Sequence, residues 1–332
     1  MRKRVGIVFF QLGGPDTPEA VEPFLYNLFC DPDIIPLGPL GGILRKPLAR
    51  YISRKRSKVV AEHYAAIGGQ SPIRMLTQRQ ALKLESTLES VFEPRVFTAM
   101  RYWNPLTIEA VAGVQRTQLD DLVLLPLYPQ YSYATTLSSL KEWRRLYHPG
   151  PDEPTEHLID HFYDHPLYVE AVVDRIELAM SHFERPERAH IVFSAHGLPL
   201  SLIHRGDPYQ SHIEATVKLV LETGNWPNSS TLCYQSRVGR QKWLSPSLTD
   251  TIPQLMKRGE KNLLVVPLSF VTEHIETLHE INIEAREQAM HLGCEQFEMM
   301  PAVGDSPRFI GALADLVMRA VEVSAHEPVP GD

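Results

Sequence analysis

The sequence predicts an α/β fold: two doubly wound, Rossmann-like domains, each with a parallel sheet, and an active-site crevice between them. Three observations carry this. The chain has 332 residues, more than one ordinary hydrophobic core accommodates, so about two domains are expected. Short, nearly continuous apolar runs alternate with helix-like segments, which is how strands covered by helices on both faces read. Polar motifs cluster just past the ends of those runs, where folds of this kind bind ligands.

The elements follow in chain order. "RVGIVFF" (4–10) is the first strand. The basic start before it leads into only about six apolar residues and a Gly-Gly-Pro turn, which is not the pattern of a secretory signal. A helix is expected over 17–30. Residues 33–56, "DIIPLGPLGGILRKPLARYISRKR", hold too much Pro and Gly for a core helix. They read as a long structured loop or, more sharply, as an exposed apolar lip with a basic collar. Helices at 54–67 and 75–91, a strand at 95–102, a helix at 106–118, a strand at 121–128 and a helix at 135–148 complete the first domain. The Pro-rich, charged stretch 147–160 is the linker, giving domains 1–150 and 157–325. In the second, helices at 165–184, 209–223, 247–258 and 272–290 alternate with strands at 189–196, 231–235 and 262–270. A last helix, 306–324, is expected to pack back on the first domain.

Composition excludes several function classes. A net charge of −7 and a pI near 6.1 disfavour nucleic acid, whose binding needs a basic face. Cys30, Cys233 and Cys294 are scattered with no C-x-x-C pair, which argues against a disulfide framework, a zinc ribbon or a fully ligated iron–sulfur cluster. A reducing, cytoplasmic location fits. No window approaches the roughly 20 apolar residues of a membrane helix. The nucleotide-binding glycine motifs and G-x-S-x-G are absent from the sequence, removing nucleotide-dependent and α/β-hydrolase chemistry. "HIETLH" is not a zincin motif. His274 and His279 are five apart and diverge by about 140° on an α-helix.

Four constellations remain. His196 ends an apolar strand in "FSAHGLP" and is a plausible base or metal ligand; a structural histidine bonded to a loop carbonyl is the plainer alternative. "RGDPY" reads as a turn in which Asp207 caps the next helix. "PLYPQYSYATTLSSL" (126–140) and "MRYWNP" (100–105) place tyrosines, hydroxyls and Arg101 at strand ends. They read as ordinary packing and capping, or as a wall for a flat ligand with polar ends. In "FVTEHIETLHEINIEAREQ" (270–288), Glu273, Glu276, Glu280, Glu284 and Glu287 fall within an arc of about 80° on a helix. A solvated acidic face is the commoner meaning of such a stripe. Yet the segment has no basic partners spaced at i+4, and closely spaced carboxylates raise one another's pKa. A row of this kind can hold a divalent cation or pass protons.

Taken together, "QLGGPDTPEAVEPFLYNLF", "HYAAIGGQSPI", "RYWNP", "YPQYSYATT", "FSAHGLP", "RGDPY", "YQSRVGRQKWLSP" and "FVTEHIETLHEINIE" resemble the ferrochelatases, nearly end to end from about residue 4 to about residue 322. The resemblance implies insertion of ferrous iron into a porphyrin. It makes His196 the essential histidine, a metal ligand or acceptor of pyrrole protons. Glu276 becomes its carboxylate partner across the porphyrin and the second metal ligand. Glu273, Glu280 and Glu284 become a proton or metal path along an unusually wound helix, where a π-type bulge would fit. Arg56, Tyr64 and Ser71 match positions near the propionates. Leu12, Arg101, Tyr102 and Phe270 match positions lining the macrocycle. Some family members hold an iron–sulfur cluster through a C-terminal extension and one internal cysteine. Tyr133 stands at that internal position here and the chain ends at Asp332, so no cluster and no other prosthetic group are expected, with Fe²⁺ entering only as substrate. The resemblance further implies a monomer. Transient contact is expected with the inner face of the cytoplasmic membrane or with the preceding porphyrin-pathway oxidase. Protoporphyrin IX is the expected substrate, with His196, neutral near pH 7, taking pyrrole protons. Coproporphyrin III is the alternative substrate, and a non-catalytic tetrapyrrole carrier is the alternative class.

Overall fold

The computed structural model describes residues 2–32, 34–35, 41–150, 153–236 and 241–324. The first half builds a parallel sheet from β1 (Arg4–Gln11), β2 (Glu93–Met100), β3 (Asp121–Pro126) and β4 (Thr155–Leu158), in the spatial order β2-β1-β3-β4. The second half repeats the arrangement with β5 (His190–His196), β6 (Ser230–Gln235), β7 (Asn262–Pro267) and β8 (Gln296–Met299), ordered β6-β5-β7-β8. In each sheet the strand order reverses beside the first strand. The reversal opens a crevice at the carboxyl ends of β1 and β3 and of β5 and β7, where a doubly wound sheet takes its ligand.

Helices cover both faces: α1 (Val21–Cys30), α2 (Gly41–Ala66), α3 (Ile73–Leu88), α4 (Thr107–Gln115), α5 (Ser138–Leu146), α6 (Pro166–Met180), the short α7 (Leu200–Ile203), α8 (Tyr209–Gly224), α9 (Leu248–Lys257), α10 (Arg286–His291) and α11 (Pro307–Ser324). β1 is buried at every position after its first, and β3 throughout, matching their unbroken apolar sequences. One apolar core, including Val5, Leu84, Val172, Phe193 and Leu313, runs through both halves. α11 packs on α6 of its own half and on α3, β3 and β4 of the other. Gln80 on α3 donates to the Gly304 carbonyl at 2.8 Å, and Arg79 and Lys83 pair with Asp305 at 2.8 and 2.9 Å.

Three elements depart from the sequence reading. The segment read as a loop is helical from Gly41 onward. Its glycines occupy only the first two helical positions, and Pro47 is the one breaker among the residues that follow. From there Ala49, Ser53 and Tyr64 are buried, Ala49 and Tyr64 in a cluster with Phe24, Phe29 and Tyr102. Asp33 and residues 36–40 of the expected lip lie outside the described residues, but Ile43 and Leu44 stand 80% and 48% exposed, beside Arg45, Lys46 and Arg50. The stretch read as a linker supplies β4, so the first sheet extends to Leu158. β4 and β8 are four-residue edge strands with polar sequences, too short and too exposed to show an apolar run.

Candidate active site

His196 is the last residue of β5, at the point where the second sheet reverses. Its backbone is clamped by a closed ring of hydrogen bonds. The His196 N–H donates to Ser269 Oγ at 3.0 Å, Ser269 and Tyr209 share a hydrogen bond of 2.7 Å, and the Tyr209 hydroxyl donates to the His196 carbonyl at 3.0 Å. Tyr209 is positioned by Asp207, which accepts its backbone N–H at 3.0 Å. The other Asp207 oxygen accepts from Ser132 Oγ and the Tyr133 N–H at 2.9 and 2.8 Å. The capping role expected of Asp207 is therefore present, and the same carboxylate ties the tyrosine-rich loop of the first half to the wall that carries the histidine.

Beyond β7 the chain enters a helix wound with i→i+5 hydrogen bonds over Glu276–Ala285. A π-helix of this length is rare, and π segments concentrate at functional sites. At about 4.4 residues per turn, residues four apart differ by about 33° rather than the 40° of an α-helix. Glu276, Glu280 and Glu284 thus form a tighter row than ordinary winding allows. The row runs outward: the Glu276 side chain is 19% exposed and that of Glu284 53%. His196 Nδ1 lies 3.0 Å from Glu276 Oε2, and His274 Nε2 lies 3.4 Å from the same oxygen. Gln235, beside His196 in the sheet register, donates to the Glu276 carbonyl at 3.1 Å, and Ser236 donates to the Glu280 carboxylate. Phe270 stands edge-on to His196 and packs on the His274 ring, at 6.3 and 4.2 Å between centroids.

This crowding sets the protonation states. Burial opposes the charged imidazolium of His196, but the charge and hydrogen bond of Glu276, with Glu280 behind, outweigh it and raise the pKa above the usual value. Burial likewise disfavours the Glu276 carboxylate. His196 and then His274 overcome that and hold its pKa far below the carboxylate range. Among the described residues Glu280 has no cation in direct contact. Burial and the adjacent Glu276 charge push its pKa up to about 7 despite the Ser236 hydrogen bond. The site is therefore an ion pair at the inner end of a row whose second carboxyl exchanges its proton near neutrality.

The ferrochelatase family profile matches residues 4–321. The chain is 47% identical to the ferrochelatase of Geotalea uraniireducens over 321 residues, 97% of this chain and 99% of that one. It is 47% identical to the ferrochelatase of Thermosynechococcus vestitus over 325 residues, covering 97% of this chain and 83% of the other. The chain belongs to the ferrochelatase family. Among solved structures it is similar in fold to SirB from Bacillus subtilis with Fe3+, at 12% identity, 98% coverage of each chain and a TM-score of 0.59. It is also similar in fold to the sirohydrochlorin chelatase SirB from Bacillus subtilis subspecies spizizenii in complex with cobalt, with a TM-score of 0.52, 11% identity, and coverage of 97% of this chain and 98% of that one.

Within this ferrochelatase framework the other carried-over residues separate. Leu12, just past the end of β1, packs against the cluster that holds Tyr64 and Tyr102, which Ile275 also borders. Ser71 sits back-to-back with the Gly-Gly turn after β1. Its N–H donates to the Pro15 carbonyl at 2.8 Å, and a Cβ on Gly14 would come within 2.6 Å of the Ser71 side chain, so the "QLGGPD" motif needs glycine there. Arg56 is exposed on α2 with its guanidinium 5.7 Å from the Phe29 ring centre. Tyr64 and Tyr102 are only 2% and 1% exposed and present almost no surface to a ligand in this arrangement. Arg101 pairs with buried Asp31 at 2.7 Å, and the same Asp31 oxygen accepts from Tyr102 and Ser138. The guanidinium expected to line the macrocycle is thus already engaged.

Further corrections concern the acidic segment and its partner. A macrocycle between His196 and Glu276 requires about twice the 3.5–4.0 Å of an atomic contact, and their 3.0 Å separation leaves no room for one between them in this arrangement. His196 is also not the free neutral base expected from its type, because Glu276 favours its protonated form. Glu273 does not join the row: its carboxylate accepts from the Ala302 N–H at 2.6 Å and from the Thr277 hydroxyl, anchoring the entry to the π-helix. His274, discounted from an α-helical wheel, precedes the π-helix and touches Glu276 directly. Gln235, Ser236, Ser269 and Tyr209 were not singled out. They are ordinary polar residues whose roles appear only through sheet register and loop closure.

Proposed function

We propose that the chain catalyses insertion of Fe²⁺ into protoporphyrin IX, giving protohaem and two protons, the final step of haem formation. The His196–Glu276 pair, placed at the crevice and opening onto a graded carboxylate row in a ferrochelatase-family chain, carries this reading.

Porphyrin metallation forms iron–nitrogen bonds and releases two pyrrole protons. Nδ1 of His196 faces Glu276, so an ion held by both enters between that nitrogen and the carboxylate. Imidazole ligates only when neutral, so approaching Fe²⁺ displaces the proton shared by the pair. Glu276, held ionised, is the carboxylate ligand to the ion. A released proton passes to Glu280, whose pKa near 7 populates both its forms at neutral pH, and leaves by exposed Glu284. Nitrogen and carboxylate donors suit Fe²⁺ without excluding Zn²⁺ or Co²⁺. Contacts to the ring periphery support a saddled macrocycle whose nitrogens are open to the metal, a use of remote binding energy.

Ile43 and Leu44, flanked by the basic residues of α2, support transient docking of the cytoplasmic protein on an anionic membrane surface. They also favour the less polar protoporphyrin over coproporphyrin III. The reading takes the enzyme as a monomer without a cluster. Anaerobic Fe²⁺ insertion with both porphyrins, followed by the Soret band, tests the reading. Faster metallation of protoporphyrin IX is expected. Preference for coproporphyrin III would overturn the substrate choice, and tetrapyrrole binding without any metallation would establish the carrier reading instead.

A further inference from the structure

We propose that His63, His279 and Glu284 form a second metal site, taking a divalent first-row transition ion at the outer end of the acidic row. Their ligand atoms all lie within 4.8 Å of one another. The two imidazoles stack with centroids 4.0 Å apart and planes 16° from parallel, and Glu284 Oε1 lies 3.6 Å from His279 Nδ1. His279 is buried at 7% exposure, and its Nδ1 has no hydrogen-bond partner among the described residues. A buried polar nitrogen without a partner is costly and calls for an explanation. An ion seated against it supplies one.

The winding of the backbone creates the site. His279 and Glu284 are five apart, and an α-helix would separate them by about 140°. At about 4.4 residues per turn the difference falls to about 50°, so the pair faces the same partner, His63 near the end of α2. Burial, and then His63 itself, lower the His279 pKa, in keeping with an unprotonated ligand. Two imidazoles and one carboxylate suit Zn²⁺, Fe²⁺ or Co²⁺ and do not suit Mg²⁺ or Ca²⁺, which prefer oxygen. Bonds of about 2.0–2.1 Å in a tetrahedral set place ligand atoms about 3.4 Å apart. The cluster must therefore contract by roughly 1 Å, a movement open to exposed Glu284 and half-buried His63. Three protein ligands leave a position for water, the mark of a site that exchanges its ion rather than locking it.

The assignment of a role rests on the iron-inserting function proposed above. An ion captured here has Glu280 one turn inward and Glu276 two turns inward. The site is then a loading station at which hydrated Fe²⁺ exchanges water for protein ligands. Its ligands come from α2 and from the π-helix, so a bound ion also ties the walls contributed by the two halves.

Binding of Co²⁺ to the full chain tests this, measured by equilibrium dialysis and by the visible ligand-field bands of the ion. His196→Ala provides a background with the inner site disabled. One Co²⁺ per chain is expected to remain bound there. His63→Gln and, separately, His279→Gln in that background are each expected to weaken it by about 10- to 100-fold, the scale of altering a metal's immediate surroundings. His63 is only half-buried, so its variant gives an answer even if the His279 variant fails to fold. Unchanged Co²⁺ affinity in His63→Gln would overturn the proposal. This readout involves no porphyrin: His63-dependent Co²⁺ binding in a protein that never metallates porphyrin would retain the site and discard the iron-inserting role. In the otherwise wild-type enzyme, His63→Gln is expected to raise the apparent KM for Fe²⁺ about tenfold, matching the lower end of that range.

Discussion

Replacing Glu280 with Gln isolates the carboxyl that exchanges its proton near neutrality. In the folded chain its pKa moves from 4.5 to about 7, first through burial and then through the charge of Glu276. At about 1.4 kcal/mol per pH unit, this corresponds to about 3 kcal/mol. The sign follows from linkage. Between pH 4.5 and 7 the folded state holds a proton that the unfolded state has lost, so stability falls as pH rises across that window. Glutamine has no charged form and removes the effect. Urea unfolding of Glu280→Gln and wild type is expected to show a stability difference that changes in the variant's favour by about 3 kcal/mol between pH 4.5 and pH 8. In anaerobic iron insertion from pH 5.5 to 9, wild-type kcat is expected to inflect near pH 7. The variant should lose that inflection and turn over about 100-fold more slowly, the lower range for a positioned proton carrier. A pH-independent stability difference would refute the raised pKa. Wild-type turnover with the inflection intact would refute the relay.

His196→Ala is expected to abolish iron insertion while porphyrin still binds, seen as a retained shift of the Soret band; turnover at the wild-type rate would remove His196 from the mechanism. Asp31→Asn leaves the guanidinium of Arg101, 17% exposed, without its charge partner and is expected to cost about 3–5 kcal/mol in urea unfolding; a loss below about 1 kcal/mol, the range of exposed pairs, would show that Arg101 is held by other contacts. Ile43→Glu with Leu44→Glu is expected to reduce cosedimentation with anionic vesicles severalfold without changing insertion into soluble porphyrin, and unchanged cosedimentation would exclude this end of α2 as a membrane contact.

What the sequence made legible follows from how each feature is encoded. β1, β3, β5 and β7 lie inside their sheets, and burial on both faces writes an uninterrupted apolar run. β4 and β8 lie at edges and leave no such mark. The start of α2 was obscured because Pro and Gly weigh against a helix locally, whereas packing of Ala49, Ser53 and Tyr64 against α1 favours it. The acidic row was visible as a stripe, and π-type winding was anticipated there. What could not be read was which carboxylates share a function. Glu273 looks like its neighbours until Ala302 and Thr277 are seen to engage it, and the Ala302 contact comes from the loop after β8. The His196–Glu276 contact joins residues 80 positions apart. Its distance, which leaves no room for a ring between the two groups, is a property of tertiary structure alone.

The repeated strand order has a further consequence. Each half offers one crevice wall, and the walls differ in kind. That of the first half, around Leu12 and Trp103, is apolar and aromatic. That of the second holds the titrating groups. Under the proposed reaction, recognition of the tetrapyrrole and the inner proton and metal chemistry are therefore encoded in separate stretches of the chain, with His63 the first half's one contribution to the metal among the described residues. Substitutions that reshape the first wall for differently decorated rings leave the proton and metal chemistry in place, so one chelating apparatus can be inherited intact while its organic substrate changes.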